Sequence, residues 1–282
     1  MTDNLQPEQN PHWPSDPAMP PSNPAPPMEV HHHGHAHGNK TWKAYLFEFF
    51  MLFLAVFCGF LAEYYLEHRI EKERSKQFIE SFYEDLKTDT ARMSFYTDFD
   101  QDKIDALAGL GACYDAITKD QRNTNCLLNI IKQSSINRPF IYTDRTLRQL
   151  ANAGGFRLLK KEDADSIIFY TTAYDNFQDF QSTVFQGTQD NVRKSLSSML
   201  NFKANLEMFK PQEGKAILTE AFGSPKIDVP LLVFNDKEQL NRYFNELLMY
   251  YRITYNHKKM LLDLRNTQLR LLKYFSSKYH LD

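Results

Sequence analysis

The strongest feature of the hydrophobic pattern is an uncharged apolar run over residues 49–62. Aromatic residues flank this run on both sides, namely Trp42, Tyr45, Tyr64 and Tyr65. A helix from Tyr45 to Tyr65 is about 30 Å long at a rise of about 1.5 Å per residue, which matches the hydrocarbon thickness of a bilayer. Residues 42–66 are therefore predicted to form a transmembrane helix with aromatic belts. A buried core helix remains the alternative, while a cleaved signal peptide is disfavoured because a long tail precedes the run and no small-x-small site follows it.

One face of the predicted span combines small residues with a carboxylate. At helical spacing this face contains Glu48, Leu52, Ala55, Gly59 and Ala62. Ala55 and Gly59 form a small-x-x-x-small pair, which allows two helices to approach closely. We interpret the face as a self-associating or partner-binding surface in which Glu48 is neutral or hydrogen-bonded. The alternative, given equal weight, is that Glu48 reaches toward the headgroups.

The apolar period of 3.6 residues continues beyond the span. Residues 67–97 are predicted to be a juxtamembrane amphipathic helix, with a stripe of Leu66, Ile70, Phe78, Phe82, Leu86 and Met93. The opposite face alternates in charge. A basic face that binds anionic lipid is the rival interpretation, but the interleaved glutamates weaken it.

Residues 98–282 are predicted to be an α-helical bundle domain. Helices are expected over residues 98–119, 123–133, 143–150, 161–202 and 235–279, with an irregular segment over residues 203–230. Gly154 and Gly155 suit a left-handed helix stop. The predicted core stripe of the first long helix is Ile167, Tyr170, Tyr174, Phe177, Val184, Thr188, Val192, Leu196 and Met199. That of the second is Leu240, Phe244, Leu247, Tyr251, Tyr255, Leu262, Leu269 and Leu272, widened by Leu261, Leu264, Leu271 and Phe275. The two long helices, joined by a linker, suggest an antiparallel hairpin. The predicted fold is all-α: one transmembrane helix followed by an elongated helical bundle.

The first 41 residues are predicted to be a disordered tail. Nine of the 13 prolines precede Met28, and aliphatic residues are almost absent there. Five histidines follow, at His31, His32, His33, His35 and His37. Dense imidazoles can bind Zn²⁺, Ni²⁺ or Cu²⁺. The favoured interpretation is nevertheless a low-complexity segment with incidental metal affinity, since a specific site needs fixed geometry and supporting hydrogen bonds.

Composition excludes some classes of function. A net charge of −2 gives no electrostatic case for nucleic acid. Cys58 lies in the span, so at most one disulfide, between Cys113 and Cys126, is open to the remaining cysteines. We expect both to be ordinary small buried side chains instead.

No catalytic constellation is recognisable in the sequence. His-Glu-x-x-His, Gly-x-Ser-x-Gly and Cys-x-x-Cys are all missing from it. We therefore expect a protein that is not an enzyme and that carries no cofactor. Tyr142, Arg145 and Arg148 lie near the Gly-Gly turn and form a weak candidate for an anion or peptide site, because most exposed arginines are simply solvated.

Several segments resemble a known group of proteins. These are Glu29-Val30-His31-His32-His33, the span, Glu67-His68-Arg69, the run from Tyr83 to Thr90, and the run from Gln149 to Leu158. They look like uncharacterised single-pass helical membrane proteins of Bacteroidota, a domain of unknown function. The resemblance implies a bacterial inner-membrane protein and carries over no catalytic residue. The proline-rich extension before Met28 departs from the group's pattern.

Charges around the span favour one orientation slightly. Lys40 and Lys43 precede it, and four cations follow it, namely Arg69, Lys72, Arg74 and Lys76. This count favours a cytoplasmic bundle, although large domains translocate regardless of charge. The expected role is a membrane-anchored scaffold or accessory protein whose partners are the lipid bilayer and either a second copy or another membrane protein. A sensor that binds a small ligand through its bundle is the alternative, and a metal-handling protein that uses the histidine tail comes third.

Overall fold

The computed structural model describes residues 41–120, 125–152, 154–208, 229–234 and 237–282, and divides the chain into units 1–60 and 61–282. Among the described residues the only β feature is an isolated bridge between Leu200 and Leu232. The predicted all-α class is thus confirmed. The predicted tail and its histidines lie outside the described residues.

In the first unit, the described residues 41–60 are helical from Trp42 onward, and nearly all of their side chains are exposed. The helix is long and apolar enough to cross a membrane, and none of its apolar window is buried. A helix that is apolar on all sides and covered by no protein is typical of a membrane span.

The described residues form ten helical segments in chain order: α1 Trp42–Leu107, α2 Leu110–Lys119, α3 Asn125–Ser135, α4 Arg145–Asn152, a 3₁₀ turn Gly155–Leu158, α5 Lys161–Asp179, a π-helical turn Phe180–Phe185, α6 Gln186–Met199, α7 Phe202–Met208 and α8 Lys237–Tyr279. The predicted start of a new helix at residue 98 is wrong, since α1 continues to Leu107. No glycine or proline lies between Gly59 and Gly109, so nothing interrupts the helix before that second glycine.

The core of the second unit forms where three long helical segments pack together. Buried residues of α8 recur at alternating spacings of three and four, through Leu240, Tyr243, Leu247, Tyr250, Thr254, His257, Leu261, Leu264, Gln268, Leu271 and Phe275. This heptad spacing is typical of helices packed side by side. The ring of Phe82 in α1 contacts Tyr170 of α5 and Phe275 of α8, at centroid distances of 6.1 and 6.0 Å.

Contacts at the helix ends confirm the antiparallel hairpin. Asp163 in the first turn of α5 accepts a hydrogen bond of 2.8 Å from Tyr274 near the end of α8. At the other end, the Leu200–Leu232 bridge joins the segment after α6 to the one before α8. The chain order α5–α6–α8 therefore reverses direction once.

The predicted glycine turn after α4 is also confirmed. Gly154 has φ of 64°, a left-handed conformation that glycine adopts without steric cost. A Cβ atom on Gly155 would lie 3.0 Å from the Cα atom of Leu150, so the backbone of the 3₁₀ turn packs directly on α4.

The cysteine prediction was wrong. Cys113 of α2 and Cys126 of α3 form a disulfide with a Cα–Cα distance of 5.6 Å. The sequence offers no other pairing outside the span, and Cys113 is buried in the core beside Leu110 and Ile117. The disulfide links two short helices. Each of them has little surface to bury, so the bond helps to restrain their positions.

Candidate functional site

The most polar part of the bundle interior lies where α1, the π-helical turn and α8 meet. Asp100 and Lys103 of α1, Gln181 of the π turn and His257 of α8 are each at most 3% exposed. Buried charges are costly unless they are paired and hydrogen-bonded. These four polar side chains occupy core positions that apolar side chains could fill. We therefore name them the polar cluster and take them as the candidate functional site.

His257 is held by two acceptors. Its Nδ1 lies 2.6 Å from Asp100 Oδ2, and its Nε2 lies 3.3 Å from Gln181 Oε1. The backbone of Phe140 fixes the amide of Gln181, since the Phe140 N–H donates to Oε1 at 2.9 Å and Nε2 donates to the Phe140 carbonyl at 3.1 Å. Both imidazole nitrogens thus lie within hydrogen-bond distance of side-chain oxygen atoms.

Lys103 has an aromatic environment. Its ammonium lies over the rings of Phe99, Phe185 and Tyr250, at 4.4, 4.9 and 5.9 Å from their centroids. Within the described residues it makes no hydrogen bond or ion pair. Burial lowers the pKa of Lys103 to about 8, in spite of the opposing attraction of Asp100. Cation–π contacts compensate only part of the lost hydration.

Two more polar atoms of the same core lack hydrogen-bond partners among the described residues, the hydroxyl of Tyr250 and Oε1 of Gln189. Both residues are fully buried. Burial raises the pKa of Tyr250 far above its ordinary value. An unpaired buried polar atom costs about 1–3 kcal/mol, so each of these two atoms adds to the free-energy cost of this polar interior.

The π-helical turn creates this geometry. It adds one residue to the helical path, which turns Gln181 and Phe185 toward the core. The ring of Phe185 stacks on the imidazole of His257 at a centroid distance of 4.1 Å. Single π turns inside α-helices occur frequently at functional sites. The π-helical turn thus places the amide of Gln181 beside Nε2 of His257 and the ring of Phe185 against the face of the imidazole.

The chemistry of the polar cluster follows from its burial. With at most 3% of each side chain exposed, a substrate has no access to it in this conformation. The cluster can instead hold a defined set of charges that links α1 to α8. Its members lie on α1, the π-helical turn and α8, so the cluster contributes to the way these elements pack together.

The structure places the predicted anion-site residues close to carboxylates. The guanidinium of Arg145 donates to Asp85 Oδ1 at 2.8 Å, and that of Arg148 donates to Asp144 Oδ2 at 2.6 Å. Tyr142 is half-buried, and burial raises the pKa of its phenol. The anion site stays a prediction, and an anion there would have to compete with both carboxylates.

Two buried carboxylates of α1 hold the start of α4. Asp85 accepts hydrogen bonds from the backbone N–H and the hydroxyl of Thr146, at 3.2 and 2.5 Å. Asp89 accepts bonds from the same two groups of Thr143, each at 2.8 Å. These contacts explain why an acidic pair can be buried in α1, and they give it a structural role.

The predicted interface of the span is exposed in the structure. Glu48, Leu52, Ala55, Gly59 and Ala62 all have exposed side chains or surfaces. A Cβ atom placed on Gly59 meets nothing within 4 Å. The predicted histidine metal site lies outside the described residues, and those residues contain no group of three or more metal-ligating side chains.

Comparisons with known proteins found no relative. No protein-family model matches the chain, and no curated protein and no solved structure is detectably similar to it. The function is therefore inferred from the residues and their geometry alone.

The sequence alone does not reveal the polar cluster. His257 lies at no metal-ligand spacing with another histidine, so the sequence predicts an ordinary surface or core role for it and does not single out the other three residues. One signal was available: along α8, a heptad that passes through Thr254, His257 and Gln268 keeps Leu261, Leu264 and Leu271 on one seam. This heptad places polar residues at core positions. It is recognised only when the spacing of the residues is given more weight than their hydrophobicity.

Proposed function

We propose that this protein is a membrane-anchored helical scaffold or accessory protein, without enzymatic activity, that assembles through its span. The observation that supports this role is the exposed small-residue face around Gly59 on a helix apolar enough to enter a bilayer. Small residues allow close helix packing in lipid, where apolar side chains alone give little preference for protein over lipid. The partner is a second copy or another membrane protein, and nucleic acid is not a partner.

We further propose that the membrane is a bacterial inner membrane and that the bundle lies on its oxidising side. The cation count around the span favours the cytoplasm. However, the disulfide between Cys113 and Cys126 favours a compartment in which disulfides persist. The disulfide is the stronger argument, because large domains translocate regardless of flanking charge.

Alkylation of cysteine thiols after acid quenching of intact cells tests on which side of the membrane the bundle lies. With Cys58 replaced by serine, we expect a maleimide–polyethylene glycol reagent to leave the acid-quenched, denatured chain unmodified. Two labels should attach once the disulfide has been reduced with dithiothreitol and the dithiothreitol has been removed. Replacing Cys113 and Cys126 by serine provides the blank. Two labels without reductant would place the bundle in the cytoplasm.

A Gly59→Leu substitution tests assembly. The isobutyl side chain would separate two helices that meet at this face, so we expect recovery of the co-purifying partner, or of the homo-oligomer, to fall about tenfold or more. Pull-down from native membranes with quantitative mass spectrometry measures this. Cys58→Leu, which enlarges a residue beside the predicted face, is the matched control. Equal recovery for wild type and Gly59→Leu would contradict the proposal.

A sensor is the second candidate, favoured by the polar cluster. Asp100 and Lys103 lie on α1, the same helix that contains the predicted span. A ligand that alters the cluster would therefore act on that helix. Screening small metabolites against the full chain in detergent should then find one that shifts the melting temperature of wild type and not of Lys103→Met.

A further inference from the structure

A basic groove opens at the end of the bundle that follows the span. Its volume is about 620 Å³, and it is lined by Tyr65, His68, Arg69, Lys72, Glu73, Ser75, Lys76, Lys160 and Tyr279. Four of these residues are permanent cations and one is an anion. The groove therefore carries a net positive charge in a chain whose overall charge is −2.

The cations converge from different elements. Arg69, Lys72 and Lys76 share one face of α1, at spacings of three and four residues. Lys160 immediately precedes α5, and it faces the same groove. Like charges in one groove repel one another unless an anion lies between them.

The protein provides little compensation for these charges. The side chain of Lys76 pairs with Glu80 at 3.1 Å, but the side chains of Arg69, Lys72 and Lys160 form no ion pair or hydrogen bond with any other described residue. The carboxylate behind the groove, Asp163, already accepts bonds from Tyr274, Lys278 and Tyr279. Three cations are thus left for an external anion.

The position of the groove identifies the source of that anion. Tyr65, which lines the groove, is one of the aromatic residues predicted to lie at the membrane–water interface. Lys72 follows it on the same helix by about 10 Å at a rise of about 1.5 Å per residue. That distance is about one Debye length, within which a lipid phosphate attracts a cation strongly.

We infer that this groove, lined by Arg69, Lys72 and Lys160, binds the phosphate of an anionic lipid headgroup. The inference depends on the proposed membrane insertion and adds lipid recognition to the role of the anchor. Glu73 is the one carboxylate among the lining residues, whereas Glu67 and Glu71 do not line the groove, so the four cations leave it with a net positive charge. An anionic lipid bound there would join α1 to the start of α5 at the membrane surface.

Binding of a short-chain phosphatidylglycerol to the full-length protein in maltoside micelles tests the inference. We expect Arg69→Gln/Lys72→Gln to weaken this binding about 10–30-fold, on the basis of about 1 kcal/mol for each cation near an anionic surface. Lys160→Gln should weaken it about fivefold by the same reasoning. The matched controls, Arg74→Gln and Lys161→Gln, remove neighbouring cations that do not line the groove, and they should bind like wild type.

Two further probes separate the sources of the phosphate. Phosphatidylcholine of the same chain length should bind at least tenfold more weakly than phosphatidylglycerol, and inorganic phosphate should not compete at millimolar concentration. Equal binding of the two lipids, equal loss in the control variants, or competition by inorganic phosphate would each overturn the inference. If the chain does not pellet with membranes, the proposed membrane anchor is wrong. This result is obtained before any lipid is added, so it is distinguishable from a failure of lipid binding. Unchanged melting temperatures without lipid show that the variants fold.

Discussion

Replacing Asp163 by asparagine is expected to lower the free energy of unfolding by about 3–5 kcal/mol, the cost of breaking a buried charge pair. Asp163 is fully buried in the first turn of α5. Its Oδ1 accepts bonds from Tyr274 and Lys278, at 2.8 and 2.6 Å, and its Oδ2 accepts one of 2.6 Å from Tyr279. Asparagine keeps the shape, but it turns an NH₂ group toward one of these donors and removes the charge.

The pH dependence of this contribution has a defined sign. Burial alone would raise the pKa of Asp163, but the bonds from Lys278, Tyr279 and Tyr274 outweigh it and lower that pKa below its ordinary value. A carboxyl group with a lowered pKa in the folded state stabilises the fold at every pH above about 3.9, its unfolded value, and loses this effect as the pH falls through the folded value. The wild type should therefore lose stability below about pH 4, and the variant should lose less.

Urea unfolding of the full chain in detergent, followed by circular dichroism at pH 7 and below pH 4, measures both effects. Asp165→Asn, an exposed change two residues away on the same helix, is the control and should alter stability by no more than about 0.5 kcal/mol. If Asp163→Asn and Asp165→Asn unfold at the same urea concentration, the three bonds to Asp163 do not stabilise the hairpin.

The sequence predicts the helical fold well because most core positions are apolar. The first part of the α5 stripe, with Ile167, Tyr170, Tyr174 and Phe177, is buried as predicted. Beyond it, the prediction chose Val184 and Thr188, whereas Gln181, Phe185 and Gln189 are buried instead. The π turn inserts one residue and displaces the buried positions next to it, and hydrophobic periodicity has no means of placing such an insertion. Further along, Val192, Leu196 and Met199 are buried as predicted.

In α8 the error has a different cause. The prediction followed hydrophobicity to Tyr255, Leu262 and Leu269, which are exposed. The buried seam passes instead through Tyr250, Thr254 and His257. Polar residues hold these core positions because their partners lie on other helices, far away in the sequence, and a single-segment pattern contains no information about such partners. The polar cluster was missed for the same reason, since its members lie on three different elements. The disulfide also joins two separate helices, so the pattern of one segment could not decide it.

Replacing Lys103 by methionine is expected to stabilise the protein by about 3 kcal/mol at pH 7. Its pKa of about 8 lies roughly 2.5 units below the ordinary value, and each unit corresponds to about 1.4 kcal/mol. Methionine is unbranched and one atom shorter than lysine, so it can pack against the rings of Phe99, Phe185 and Tyr250 while it removes the buried charge. A buried lysine without a carboxylate bond is therefore retained at a cost in stability.

The sign of the pH dependence distinguishes this cause from a simple gain in packing. Below pH 8 the folded state must hold a proton that it binds poorly, so the cost is complete there. Between pH 8 and about 10.4 the unfolded state binds more protons than the folded state, so the stability of the wild type rises with pH. The gain from Lys103→Met should shrink across this interval. Asp100, His257, Arg138 and Arg193 are charged or titratable groups near Lys103, and both proteins contain them, so they largely cancel in the difference.

Asp100 provides the opposite test within the same cluster. Asp100→Asn removes the carboxylate that lies 2.6 Å from His257 and attracts Lys103, so we expect a loss of about 3–5 kcal/mol. Adding Lys103→Met to this variant should restore more than Lys103→Met contributes alone, because a buried cation without its carboxylate costs more. Lys259→Met, an exposed change on α8, serves as the control for charge removal. A gain from Lys103→Met that stays constant from pH 7 to pH 10 would contradict a buried ammonium, and strict additivity with Asp100→Asn would show that the two residues do not act as one cluster.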